Sequence, residues 1–112
     1  MEIEERRFLL TAAWLFARHG SVERARILCE ALVEDDPGDG IAAVALAERL
    51  LEDREPERTL ETLEAASVPA SLARAEALLE ARALAMLGRH DEATRRWRRH
   101  CEAAKGGARK WI

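Results

Sequence analysis

The chain reads as all-α, three tandem helix hairpins stacked into a short array. The first observation behind that reading is a period. Gly20, Arg54 and Gly88 lie 34 residues apart, as do Ala25, Thr59 and Ala93, and then Cys29, Leu63 and Trp97. Upstream, Ala13, Ala47 and Ala81 share one register and Phe16, Leu50 and Leu84 another. A fixed period of roughly 20–50 residues marks a stack of identical supersecondary units. Second, no stretch alternates apolar and polar residues in the manner of a half-buried strand. Third, Asp36-Pro37-Gly38-Asp39-Gly40 and Ser67-Val68-Pro69 punctuate the chain between units.

Six helices follow in order. The first is expected over Ile3 to Arg18, stopped by Gly20, whose missing Cβ permits a left-handed turn. From Phe8 to Ala17 only Thr11 is polar, so this helix is apolar almost all round and should be covered by another chain or a ligand. Its length suits a signal-peptide core, but the leader is acidic, Arg18 follows at once and no small-x-small cleavage site appears. It is also too short to span a bilayer. The second helix runs from Ser21, an N-cap ahead of an acidic first turn, to Glu34.

The third helix is expected over Asp39 to Asp53, and the fourth over Glu55 to Ala66 with Pro56 in its first turn, where the missing donor is tolerated. The fifth spans Ala70 to Leu87, with Ser71 acting as a cap near its start. The sixth spans His90 to Ala104 with a narrow apolar stripe of Ala93, Trp97, Cys101 and Ala104. Arg95, Arg96, Arg98, Arg99 and Glu102 give it the polar outer face a terminal repeat needs. Residues 1–105 form one domain, with repeats at about 6–39, 40–73 and 74–105, and 106–112 form a flexible basic tail beginning at Gly106-Gly107.

Packing gives the registers their meaning. Helices that cross closely need small residues at the contact, hence Ala13, Ala47 and Ala81, with Phe16, Leu50, Leu84, Leu63 and Trp97 filling the space beside them. The 48% hydrophobic and 35% charged content fits a strongly helical chain. Asn, Gln and Tyr are absent and nearly all basic residues are Arg, a coding bias rather than a functional signal. Net charge is −3, but residues 1–88 hold 18 acidic and 10 basic side chains while 89–112 hold 3 and 8. The basic end reads first as a solvated outer helix face, and second as a surface for an acidic partner or a phosphate backbone. Cys29 and Cys101 lack any CxxC spacing and fit free thiols in a reducing compartment. His19, His90 and His100 have no nucleophile beside them, and Glu34-Asp35-Asp36 reads as caps or solvated charge. No catalytic residue, cofactor or metal is expected.

The stretch Ala17-Arg18-His19-Gly20-Ser21-Val22-Glu23-Arg24-Ala25, closing at Asp36-Pro37, resembles the tetratricopeptide repeat (TPR), and so does Met86-Leu87-Gly88-Arg89-His90-Asp91-Glu92-Ala93. The middle copy departs, with Arg54 where glycine is usual and Thr59 where alanine is usual. The resemblance implies a right-handed superhelical array whose first helices line a concave groove. It implies a partner-binding surface of Leu10, Trp14, Ala17, Ile41, Val44, Leu51, Leu78 and Met86, with a charged rim of Arg7, Arg18, Glu48, Glu52 and Arg82. Such a trough suits an amphipathic helix. The paired asparagines with which related arrays grip a C-terminal carboxylate are missing, so that clamp is not expected in its usual form.

In size and layout the chain is similar to the needle-subunit chaperones of bacterial type III secretion. That likeness implies a cytoplasmic bacterial protein, not an enzyme, holding an amphipathic helix of a small secretion subunit together with a small helical co-chaperone, without membrane insertion. It also allows a homo-oligomer through the apolar first helix when the chain is alone. A generic TPR adaptor is the alternative, and nucleic-acid binding through the basic sixth helix a third.

Overall fold

An alanine-rich chain without strand-forming runs satisfies its backbone donors most locally, in helices, and the fold is all-α. The computed structural model describes residues 1–109. Its helices are α1 (Ile3–Arg18), α2 (Val22–Asp35), α3 (Gly40–Glu52), α4 (Pro56–Ala65), α5 (Ala73–Met86) and α6 (His90–Arg109), with a 3₁₀ turn at Ala70–Leu72. Each helix packs on the next along the chain, most extensively α1 on α2, α3 on α4 and α5 on α6, and α3 also touches α5. The Cα radius of gyration is 15.0 Å, wider than the roughly 13 Å of a compact globule of this length.

The 34-residue period is written into the backbone. Gly20, Arg54 and Gly88 are all left-handed, at φ 84°, 62° and 79°. Behind each, the same hydrogen bond closes the helix end: Ser21 N donates to Phe16 O, Glu55 N to Leu50 O, and Arg89 N to Leu84 O, at 2.7, 2.9 and 2.9 Å. This six-to-one closure satisfies carbonyls that a helix end otherwise leaves orphaned. Arg54 therefore adopts the glycine conformation without being glycine. Ala25, Thr59 and Ala93 are all buried one turn into the following helix. The Thr59 hydroxyl donates to Glu55 O at 2.9 Å, so a polar side chain is accepted where its neighbours in the register are alanines.

Two apolar clusters form the core, and α3 belongs to both. Leu46 and Leu50 join Ala13 and Cys29 on one side; Val44, Ala47 and Leu51 join Leu63, Leu79 and Ala83 on the other. Charged side chains tie the connections together. Arg6 of α1 donates to Asp39 at 2.8 Å, to Asp35 at 2.6 Å and to the Leu32 carbonyl at 2.9 Å. Arg26 of α2 binds Glu30, Asp53 and Glu55, clamping α2 to the α3–α4 turn. Arg96 reaches from α6 to Glu80 of α5 at 2.7 Å.

Four local expectations are corrected. Ser21 occupies the N-cap of α2, but its side chain makes no capping bond. The turn after Gly20 delivers it at ψ 60° rather than in the extended conformation a cap favours. Asp39 is the cap rather than the first residue of α3, accepting from Ile41 N and Ala42 N at 3.1 Å each. The chain at Ala70-Ser71-Leu72 is 3₁₀, following Pro69, so α5 begins only at Ala73. At the other end α6 continues through Gly106-Gly107 to Arg109, with no proline to stop it. Residues 110–112 of the expected tail lie outside the described residues.

Two predictions follow from these turns. A non-glycine residue in the left-handed region costs about 1–2 kcal/mol, partly offset by the entropy glycine adds to the unfolded chain. Arg54→Gly should therefore raise stability by about 0.5–1 kcal/mol, read as a higher urea midpoint at unchanged slope; a lower midpoint would mean that Arg54 makes compensating contacts. Burial raises the Asp39 carboxyl, but the Arg6 hydrogen bond and the Ala42 and Ile41 amides outweigh it and hold the value below the ordinary one. A lowered folded value contributes stability above the ordinary aspartate value of about 3.9 and loses it as pH falls through the lowered value. Asp39→Asn should thus destabilise clearly near neutral pH, and the gap to the parent should narrow in melts at about pH 3.

Candidate ligand-binding groove

Leu10, Trp14 and Ala17 recur at spacings of four and three, so they share one face of α1. Ile41, Val44, Ala45 and Glu48 do the same on α3. With α2 packed behind them, these two faces enclose a cavity of about 540 Å³. Small residues make the enclosure: Ala13, Ala25 and Ala45 allow the three helices to approach, yet supply no bulk to fill the space above the contact. Leu10, Thr11, Val44, Cys29 and Leu72 complete the lining. Trp14 and Ile41 stand 57% and 51% exposed, large apolar side chains left in water. The Arg18 guanidinium lies 4.8 Å from the centroid of the Trp14 ring, a cation–π contact at the mouth.

Six of the residues expected in the groove or on its rim meet at this cavity: Leu10, Trp14, Ala17, Ile41, Val44 and Glu48. Leu51 does not. It is 3% exposed and packs among Leu63, Leu79 and Ala83, because its turn of α3 faces α4 and α5. Val44 serves both the cavity and the core. Leu78 and Met86 are exposed on α5 without lining the cavity. Arg7, Arg18, Glu52 and Arg82, expected on the rim, are solvent-exposed and outside its lining.

Arg49 and Cys29 also line the cavity and, like Thr11, Leu72 and the alanines at 13, 25 and 45, are not among the expected groove residues. The signal for Arg49 was present: one period away on either side stand Leu15 and Ala83, so an arginine interrupts an apolar register. Its Nε is shut off from solvent with no hydrogen-bond partner. Burial pushes the Cys29 thiol up, against an opposing pull from the Arg49 charge.

A second hollow, about 630 Å³, lies between α4, α5 and α6 and has a different chemistry. Glu57, Glu61 and Glu64 form one wall, Arg89, Arg95 and Arg99 the other, over a floor of Leu60, Leu84 and Leu87. Among the described residues no group of three or more His, Cys, Asp or Glu side chains is placed to hold a metal ion. No helix among them is long and apolar enough to cross a membrane. No family model, curated protein or solved structure matches the chain.

The different surroundings of Leu51 and Trp14 give opposite expectations for one substitution. Leu51→Glu places a carboxylate in the core and should cost several kcal/mol, on the order of 4, enough to abolish the cooperative melt. Trp14→Glu at the open mouth should shift stability by less than about 1 kcal/mol. Circular dichroism melts of both variants test this, and equal losses would mean that Trp14 belongs to the core.

Proposed function

We propose that the chain is a non-catalytic chaperone of the TPR type, in which the face built by α1 and α3 sequesters an amphipathic helix of a small partner. The observation that carries this reading is the meeting of Leu10, Trp14, Ala17, Ile41 and Val44 at one apolar cavity, although they come from two periods of the sequence. The 34-residue recurrence of left-handed turns and closing hydrogen bonds supports the repeat architecture beneath it. A partner helix laid in the groove would cover Trp14 and Ile41 and fill the cavity with an apolar side chain. Burial of such anchors is worth on the order of 1.5–3 kcal/mol each before ordering costs.

The most specific form of the proposal is a needle-subunit chaperone of type III secretion, working in the bacterial cytoplasm with a second small helical protein. A subunit that polymerises through amphipathic helices loses its assembly surface when one of them is held in the groove. A generic adaptor role is the second reading, favoured by a separate observation. Phe8 and Leu15, on the far side of α1 from the cavity, are 71% and 45% exposed and suit contact with another copy.

Light scattering on the chain alone, and after co-expression with small helical proteins encoded beside its gene, separates the two. The chaperone reading expects a defined heteromeric complex that Trp14→Glu and Ile41→Glu each weaken at least thirtyfold, about 2 kcal/mol, while helicity is kept. A partner still bound by both variants removes the groove from the mechanism. Self-association abolished by Phe8→Glu, with no heteromeric complex, would put the adaptor first. Affinity for nucleic acid that falls steeply with salt would move the function to the arginines of α6.

A further inference from the structure

Arg49 is an anomaly of the cavity wall. A half-buried guanidinium normally finds a carboxylate or a carbonyl, because desolvating an unpaired charge is costly. Arg49 has neither: its Nε is buried without an acceptor, and among the described residues it forms no ion pair. The reason lies on its other side. There Arg49 borders a third hollow with Glu30 and Asp53, but both carboxylates pair with Arg26, at 2.7 and 2.6 Å, and neither bonds Arg49. Glu48 precedes Arg49 on α3 and is solvent-exposed; adjacent helical residues do not face each other. The lining therefore carries two charges, a solvent-exposed carboxylate at Glu48 and, at Arg49, a guanidinium whose buried Nε has no acceptor.

We infer that Arg49 is the anion-binding residue of this groove, and that the helix it accepts carries an aspartate or glutamate one turn from the apolar side chain filling the cavity. The inference rests on the helix-binding reading and adds a charge requirement to it. Residues three and four apart on a helix lie about 5–6 Å apart on one face, so an anchor in the cavity and an acid at its wall come from a single turn. In a site emptied of water by the anchor, a charge-assisted hydrogen bond to a carboxylate is stronger than one on the open surface. Anchor and acid together discriminate against the many amphipathic helices that offer only an apolar stripe.

A phage-displayed library of amphipathic 16-residue helices, about four turns each, selected against the intact chain and against Arg49→Met tests this. The parent should enrich a large apolar residue followed or preceded at three or four positions by Asp or Glu. Arg49→Met should enrich the same anchor with no acid preference. A synthetic peptide bearing the enriched motif should lose about tenfold in affinity for the parent on Glu→Gln, and nothing further against Arg49→Met. Enrichment of the anchor without an acid in the parent overturns the inference, as does an acid preference that persists in Arg49→Met. A selection that enriches nothing, or that Trp14→Glu leaves unchanged, overturns the helix-binding reading itself and this inference with it. The Arg49→Met melting midpoint should match or exceed that of the parent, since no bond is lost; if the variant does not fold, the acid preference retained by Arg49→Lys and the peptide Glu→Gln loss decide.

Discussion

Everything in this molecule is hung on the start of α3, and that start depends on a side chain that is not there. A Cβ on Gly40 would lie 2.2 Å from the Ser67 carbonyl oxygen and 2.6 Å from Val68 Cα. Glycine lets the α2–α3 and α4–α5 connections run against each other, joined by Ser67 N donating to Gly38 O at 3.0 Å. One residue earlier, Asp39 uses one carboxylate oxygen on the amides of Ile41 and Ala42 and the other on Arg6. Two connections and the first helix are thus fixed within two residues. From there α3 runs enclosed, contributing to both apolar clusters, and the outer helices arrange themselves around it.

The same economy of small side chains that lets the helices approach produces the cavity. Alanines at positions 13, 25 and 45 remove bulk where α1, α2 and α3 meet, and among the described residues no helix covers the exposed side chains of α1. A central unit can bury both faces against neighbours, whereas a terminal one cannot. Leu51, in the middle, is core; Ala17, one period earlier at the open end, is exposed. Position in the array, more than residue type, decides which apolar side chain remains available to a ligand.

Much of this was legible in the sequence, and the failures share a cause. The period was readable because left-handed turns and close helix contacts narrow the choice of residue, and Gly20, Gly88, Ala25 and Ala93 obey that constraint. Arg54 shows that the turn persists even when the residue does not advertise it. The apolar character of α1 goes with the exposure of Phe8, Trp14 and Leu15, and Leu10, Trp14, Ala17, Ile41 and Val44 line one cavity. Leu51 was misassigned because a helix buried on two sides has no polar stripe to mark its orientation: the groove face and the core face of α3 are both apolar. Arg49 was passed over because an arginine in a helix usually snorkels to water. Only the knowledge that Arg26 already holds Glu30 and Asp53 reveals that Arg49 is left without a partner, and that pairing joins residues 4 and 27 positions apart.

Exposed Trp14 and Ile41 and the unpaired Arg49 are costs in the isolated chain, and all three sit on one side of it. Under the proposed function, each would be relieved by the same event, the arrival of an apolar helix with an acid beside its anchor. A ligand that binds only the folded state adds to stability in proportion to the logarithm of its concentration over its dissociation constant. A chain whose liabilities are concentrated in its groove is therefore stabilised most by the partner that removes them together. Such an arrangement would make folding margin and partner occupancy rise and fall as one quantity, as the proposed sequestering function requires.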